Sequence, residues 1–253
     1  MKTLAIAVVS FFNTTLLNAQ DVLSGSKYSL RAPANIKIDG MLTEWNGKLK
    51  EYSNHTQFYY AVSNDDKYLY LTIQVTKREI IDRIMKGGIT LTVNKSGTRT
   101  DPNSIHVTYP VVDHPILTVR YAPDVKHGGV ATVASLDSFV NEKNIQLAAK
   151  TKFIKVLGVK GVDSLISVYN KDGIKAVSKL DNQLNFNYEL AVSLTDLDLD
   201  IKNPQKFSYQ VMINEVVPLD LTSKDHKPGE IYVSVTLPGQ AATDFWGEYT
   251  LAK

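Results

Sequence analysis

Short runs in which every second residue is apolar dominate the chain. In residues 68–75 the apolar positions lie two apart, and residues 184–192 repeat the pattern. Side chains of a β-strand alternate between the two faces of its sheet, so this period predicts strands with one buried face. The same pattern predicts shorter strands at residues 36–38, 58–62, 89–93, 165–169, 174–177, 207–217 and 231–237.

Turn-forming residues separate these runs. Asn64-Asp65-Asp66 is predicted to close one hairpin, and Asn170-Lys171-Asp172-Gly173 a second one between residues 165–169 and 174–177. Residues 105–112 and 116–121 lie in a region punctuated by prolines. Because proline has no donor for the ladder of a sheet, these two runs are predicted to be edge strands or loops.

Two segments have helical rather than strand spacing. Residues 78–86 carry Ile80, Ile81, Ile84 and Met85 on one helical face and stop at Gly87-Gly88, where glycine suits a left-handed C-cap. Residues 137–150 have a mixed period that also indicates a helix. Many short strands with one or two short helices predict a single antiparallel β-sandwich.

The N-terminal residues have the order of a secretory signal. Lys2 supplies the positive start, residues 4–12 the apolar middle, and Ala19 a small residue before the chain turns polar. We therefore expect a signal peptide at 1–19 and a domain at 20–253, exported to the periplasm or the exterior; a buried first strand is the alternative. Later apolar runs are shorter than the roughly 20 residues a membrane span needs, so no membrane insertion is expected.

Composition removes several classes of function. The 253 residues are 43% apolar, carry a formal charge of +2 and include no cysteine. The small net charge does not favour nucleic acid as a partner. Without cysteine, disulfides, zinc ribbons and thiol catalysis are excluded.

No catalytic motif stands out in the sequence. It contains no Gly-x-Ser-x-Gly elbow, no His-Glu-x-x-His pair and no phosphate-binding Gly-Lys-Ser/Thr loop, so a non-enzyme is predicted. Glycoside hydrolysis needs two carboxyl groups across a cleft, and this alternative stays open. Its candidate carboxylates are Glu44, Glu189, Glu215 and Glu248.

Calcium is the one cofactor for which the sequence offers candidate ligands. Asp196, Asp198 and Asp200 alternate with leucines, and Asp172 lies in a turn with Asn170 and Gly173. Carboxylate oxygens suit calcium, but the glutamate of an EF-hand loop is missing. Solvated turns explain both clusters as well, so no cofactor is predicted and calcium stays an alternative.

Five short motifs resemble family 9 carbohydrate-binding modules, within the wider group of DOMON-like sandwiches found in exported Bacteroidetes-type proteins. They are an I-D-G followed by E-W at 38–45, Y-A-V-S-N-D-D-K-Y-L-Y-L-T-I at 60–73, Y-N-K-D-G-I-K at 169–175, N-Y-E-L-A-V-S-L at 187–194 and an aromatic-Gly ending at 245–247. The resemblance implies one β-sandwich that binds rather than reacts. The I-D-G stretch itself predicts a first strand, a tight turn and an aromatic anchor.

In family 9 modules two tryptophans enclose the sugar. The resemblance and the preference of sugars for aromatic faces make Trp246, Trp45, Tyr109 and Tyr121 the candidate ligand-binding residues. Core packing is the alternative for both tryptophans, since Trp45 matches a position that is commonly buried in the family. Tyr109 and Tyr121 are candidates because the proline-punctuated region that contains them is predicted to be a loop, and loops often carry binding residues.

The sequence therefore predicts a non-catalytic exported protein that binds a poly- or oligosaccharide by aromatic stacking. A structural or assembly protein that binds a partner in the cell envelope is the first alternative, and it would expose a large apolar patch. A haem-binding DOMON-like domain is another alternative. It would need axial ligands inside the sandwich, for which His106 or Met212 are the candidates.

Overall fold

The computed structural model describes residues 29–46, 49–111, 133–216 and 240–253. Within these ranges the chain is mainly β, with eleven strands in two antiparallel sheets and two helices. The predicted antiparallel β-sandwich is confirmed. In this part of the chain no helix is long and apolar enough to cross a membrane.

The first sheet has five strands. In spatial order they are β1 (Glu51–Ser53), β2 (Phe58–Asn64), β3 (Tyr68–Val75), β9 (Phe186–Ser193) and β8 (Ile174–Leu180). The hairpin predicted around Asn64-Asp65-Asp66 is present, because β2 pairs with β3 across that turn.

The second sheet has six strands. In spatial order they are β11 (Thr243–Tyr249), β10 (Phe207–Ile213), β4 (Ile89–Asn94), β5 (Ile105–Val111), β6 (Phe153–Leu157) and β7 (Leu165–Ser167). Its inner face, which points at the other sheet, carries apolar residues such as Leu91 and Val107, and its outer face carries the polar residues between them.

One apolar cluster fills the space between the sheets. The ring of Phe245 lies 4.5 Å from that of Tyr60 in the five-stranded sheet and 6.4 Å from that of Tyr209 in its own sheet. Burial of apolar side chains is the main force that holds a sandwich together. The two sheets therefore share a single core.

Both helix predictions are confirmed. Helix α1 (Arg78–Gly87) buries Ile80, Ile81, Ile84 and Met85, as its spacing predicts. It ends at Gly88, whose φ of +74° is one that glycine adopts without steric cost and whose N–H bonds to Ile84 O. Helix α2 (Val133–Lys150) begins four residues earlier than predicted.

The prediction of an edge strand or loop at residues 105–112 is wrong. Strand β5 lies inside its sheet, paired with β4 on one side and β6 on the other. Its pairing with β6 shifts register between Thr108 and Val111, so Pro110 falls where the regular ladder is interrupted. A proline is tolerated at such an irregularity because no ladder donor is required there.

The predicted hairpin around residues 170–173 is also wrong. Strand β7 pairs with β6, whereas β8 pairs with β9 in the other sheet. The turn therefore carries the chain from one sheet to the other. Turn-forming residues mark a reversal but do not decide which strands pair across it.

The opening stretch also differs from its prediction. Residues 36–38 form no strand, and Trp45 lies in a single 3₁₀ turn, Thr43–Trp45. The tight turn at Gly40 is present, with a φ of +78°. The N–H groups of Asp39 and Gly40 bond to Glu189, whose side chain points away from the core. The opening segment thus lies on the outer face of the five-stranded sheet.

Two strands of the five-stranded sheet are more buried than predicted. Residues 68–75 and 184–192 were predicted to have one solvated face, but most of β3 and β9 is buried on both faces. Three predictions lie outside the described residues: the edge strand or loop at 116–121, the strand at 231–237 and the signal at 1–19.

Candidate functional site

A pocket of about 410 Å³ opens on the outer face of the six-stranded sheet. Its floor is formed by the outward-facing residues of β4, β5 and β6, and its side by the end of α1. Volumes of roughly 300–1,000 Å³ are typical of small-molecule sites. The pocket is the first candidate for a binding site.

A row of hydrogen bonds crosses the sheet toward this pocket. Gln210 on β10 donates from Nε2 to Asp244 Oδ2 at 2.6 Å, which turns its Oε1 toward β4. Thr92 on β4 donates its hydroxyl to that Oε1 at 3.4 Å and lies 3.0 Å from Nδ1 of His106 on β5. The row therefore ends at His106, which lines the pocket.

A second row runs parallel to the first. The Asn214 amide donates to Gly87 O at 2.7 Å, and its Oδ1 accepts the Thr90 hydroxyl at 2.8 Å. The Thr90 oxygen in turn lies 2.7 Å from the Thr108 hydroxyl. Cross-strand pairs of this kind hold polar side chains in one orientation on a sheet surface. All four of these residues line the pocket.

Lys86 from the last turn of α1 and Lys155 from β6 bring two ammonium groups to the same pocket. Among the described residues, no carboxylate forms an ion pair with either lysine. Burial lowers the pKa of His106 below its usual value, because the charged imidazolium is disfavoured away from water. The charge of the pocket therefore comes from its lysines.

Trp246 lies on the same outer face, three strands from His106. It pairs with Gln210, which pairs with Thr92, which pairs with His106. Since neighbouring strands are about 4.8 Å apart, the backbone positions of Trp246 and His106 are separated by roughly 14 Å. Its ring is partly exposed, and the Arg99 guanidinium lies 5.9 Å from the ring centroid. A polar face therefore connects an accessible tryptophan with a pocket.

The other candidate aromatic residues lie elsewhere. Trp45 is 2% exposed and belongs to the opening segment on the opposite side of the sandwich. Among the described side chains no ring contact joins Trp45 to Trp246, so the structure does not bring them together as the two faces of one site. Tyr121 lies outside the described residues.

The expectation that Tyr109 lies in a loop is wrong. It belongs to β5, faces the core and is 3% exposed. Its hydroxyl contacts Thr151 at 3.2 Å and Ser178 at 3.4 Å. In this arrangement the ring is packed between the sheets, where its polar end is satisfied by other side chains.

Sequence reasoning missed an exposed pair of tyrosines. Tyr52 on β1 and Tyr59 on β2 are each 38% exposed, with ring centroids 4.9 Å apart. They continue across the outer face of the five-stranded sheet with Gln74 and Asn187, whose side chains are joined by a hydrogen bond of 3.1 Å. Only the register of β1 against β2 brings the two rings together, so spacing along the sequence holds no signal for the pair.

Of the four candidate carboxylates, Glu44 and Glu189 lie near each other, and Glu215 and Glu248 lie elsewhere. Glu189, predicted to lie on a polar strand face, is 0% exposed and accepts the N–H groups of Asp39 and Gly40 at 3.0 and 2.8 Å. Its pKa is raised to about 7, mainly by burial and also by the nearby Asp39 and Glu44, although the two N–H bonds oppose the rise. Glu248 pairs with Lys206, and Glu215 is exposed near the end of β10. A fully covered Glu189 has no access to a substrate.

The three aspartates considered as calcium ligands have different neighbours. Asp198 pairs with Lys95, and Asp200 accepts the N–H of Lys202 at 2.8 Å. Asp196 is partly buried beside Asp172, and burial is the main reason that its pKa is raised. Among the described residues there is no group of three or more acidic or histidine side chains that suits a metal ion.

His106 and Met212, the candidate haem ligands, both lie on the outer face of the six-stranded sheet rather than inside the sandwich. The space between the sheets is filled by the apolar cluster. Neither residue is therefore placed to be an axial ligand of a haem between the sheets.

A scan of this chain against protein-family models gives no match, and a search of the curated proteins finds no similar sequence. The resemblance to family 9 carbohydrate-binding modules thus stays a prediction made from the five motifs, and the geometry of the outer face of the six-stranded sheet is what bears on function.

Proposed function

We propose that the protein is an exported, non-catalytic binding protein that holds a saccharide on the outer face of its six-stranded sheet. The observation that carries the proposal is the presence of Trp246 and the pocket on one face, together with two fixed rows of hydrogen-bonding side chains that end in the pocket. A sugar offers C–H groups that pack on an aromatic ring and hydroxyls that both donate and accept.

The preorganisation of the polar groups supports this proposal. Thr92, Gln210 and His106 are already oriented by one another, so binding a ligand does not require them to lose much rotamer freedom. Leu157, exposed at the end of the same row, adds an apolar surface beside the pocket. Apolar contacts with a few oriented polar groups are the usual composition of a ligand site.

The envelope-partner alternative has less support in the described part of the chain. Its exposed large apolar residues are spread over the opening segment, β1, β2, α2 and the β6–β7 region. Partner-binding surfaces are instead contiguous apolar patches. If no saccharide binds, binding of a protein partner in the cell envelope becomes the favoured function.

The test is binding of purified protein to a panel of soluble and insoluble polysaccharides, with and without calcium, for wild type, Trp246→Ala and Tyr169→Ala. Tyr169 is 82% exposed in the turn after β7 and serves as the matched aromatic control. We expect Trp246→Ala to weaken binding about tenfold or more while its thermal melt stays close to wild type, and Tyr169→Ala to bind normally.

Two results would contradict the proposal. One is the absence of binding to every polysaccharide in the panel. The other is full binding by Trp246→Ala, which would place the ligand away from this face.

A further inference from the structure

The two hydrogen-bond rows have a direction that decides what the pocket offers to a ligand. When the Thr92 hydroxyl donates to Gln210 Oε1, which can only accept, its hydrogen bond to His106 requires the tautomer with the proton on Nδ1. A neutral imidazole with its proton on Nδ1 carries a lone pair on Nε2. The lowered pKa of His106 agrees with the neutral form.

The second row has the same direction. The side-chain N–H of Asn214 donates to Gly87 O, and Asn214 Oδ1 accepts the hydroxyl proton of Thr90. The Thr108 hydroxyl then donates its proton to Thr90. The lone pairs of the Thr108 oxygen are therefore able to accept a hydrogen bond from a ligand. His106 and Thr108 are two residues apart on β5 and on the same face. The floor of the pocket therefore presents two neighbouring acceptors.

Two lysines that line the same pocket present the opposite polarity. Lys86 and Lys155 carry ammonium groups, which only donate, and neither forms an ion pair with a described carboxylate. The carbonyl end of α1 would by itself disfavour an anion. Two of its carbonyls are already bonded, Ile84 O to the Gly88 N–H and Gly87 O to Asn214.

We propose that this pocket binds the acidic substituent of a saccharide, a carboxylate or a sulfate, between Lys86 and Lys155 while neighbouring sugar hydroxyls donate to His106 and Thr108. The inference rests on the proposed function and narrows its ligand to acidic saccharides. A neutral sugar satisfies the two acceptors but offers no negative charge to the two ammonium groups, whereas an acidic sugar satisfies both sets. Charge-assisted hydrogen bonds of this kind are roughly twice as strong as neutral ones.

The experiment compares three oligosaccharides of equal length: one neutral, one with uronic acid units and one sulfated. Binding is measured for wild type, for Lys86→Gln/Lys155→Gln and for Lys152→Gln, a control at an exposed lysine outside the pocket. We expect wild type to prefer at least one acidic ligand by about tenfold or more, and the double variant to lose that preference without losing the neutral ligand. The preferred ligand identifies the substituent as carboxylate or sulfate.

A Thr108→Val variant tests the floor separately. Because it removes an acceptor that any sugar would use, we expect weaker binding of neutral and acidic ligands alike, with an unchanged thermal melt. This pattern differs from the selective loss expected for the lysine variant.

The outcomes separate the two proposals. Equal affinity of wild type for neutral and acidic ligands, or an acidic preference that survives in Lys86→Gln/Lys155→Gln, overturns the inference and leaves the saccharide proposal standing if Trp246→Ala still loses binding. Failure of all three ligands, together with the polysaccharide panel, overturns the proposed function and the inference with it.

Discussion

Glu189 shows how a single buried side chain links distant parts of the chain. Its carboxylate takes the two N–H groups of the Asp39-Gly40 turn, so the I-D-G and N-Y-E-L motifs meet in space. Gly40 is required there, since a Cβ at this position would lie 2.8 Å from Lys179 Cγ and its φ is +78°. The strand around Glu189 was predictable from the sequence, but its cover was not.

The ionisation of Glu189 gives a prediction about pH. Its pKa is raised from 4.5 to about 7 because burial disfavours the charged form. The folded state therefore holds a proton that the unfolded state releases, and the free energy of unfolding should fall as pH rises from about 4.5 to about 7. The drop due to this group is up to about 3 kcal/mol.

Denaturant unfolding across this pH range checks the prediction. We expect Glu189→Gln, which cannot ionise, to give a flatter profile than wild type, while the exposed Glu215→Gln control follows wild type. A variant whose stability falls with pH as steeply as wild type would show that another group carries the effect.

At the scale of elements, Asn64 at the end of β2 joins the two ends of the described chain. Its Nδ2 donates to Asp65 O and Ala252 O, and its Oδ1 accepts the N–H of Ala252 at 2.8 Å and the hydroxyl of Tyr249 at 2.9 Å. The Tyr249 hydroxyl also contacts the backbone of Leu30. The closing strand, β2 and the opening segment thus meet at one buried amide.

We expect Asn64→Ala to lower the free energy of unfolding by about 2 kcal/mol or more, because it leaves buried donors and acceptors without partners. Asn182→Ala is the control, since Asn182 is exposed and its side-chain amide donates to Asp137 at the surface. Chemical denaturation of both variants measures the difference. Equal stability of the two would mean that water replaces the lost bonds at Asn64.

Element prediction succeeded where the pattern is local and failed where it depends on pairing. The helix at α1 follows from the spacing of four apolar residues. The turn at residues 170–173 has the chemistry of a hairpin, yet it connects different sheets. Which strands pair depends on contacts between residues far apart in sequence. The chemistry of a local turn contains no information about those contacts.

At the scale of the whole molecule, Phe245 packs against aromatic rings of both sheets. Its ring lies 6.2 Å from that of Phe58 and 4.5 Å from that of Tyr60, both in the five-stranded sheet. It is 4% exposed. Because one apolar cluster spans both sheets, the sandwich should unfold as a unit.

We expect Phe245→Ala to lower the free energy of unfolding by about 3–5 kcal/mol, through lost burial and the cavity that remains. Fluorescence and circular dichroism should report one coincident transition for wild type and variant. Tyr169→Ala, an aromatic truncation at the surface, should change stability little. Two separated transitions in Phe245→Ala would show that the sheets unfold independently.

Sequence periodicity was enough to establish a mainly β chain and helix α1, because strand and helix periods record which side chains each element buries. The candidate site was not predictable in the same way. Only folding places His106 in one row with Thr92 and Gln210, and Lys86 and Lys155 in the lining of one pocket, because strand register and sheet order bring together residues that are distant in the chain. The same physical reason put Tyr109 in the core and left Trp246, alone among the described aromatic candidates, on an accessible face.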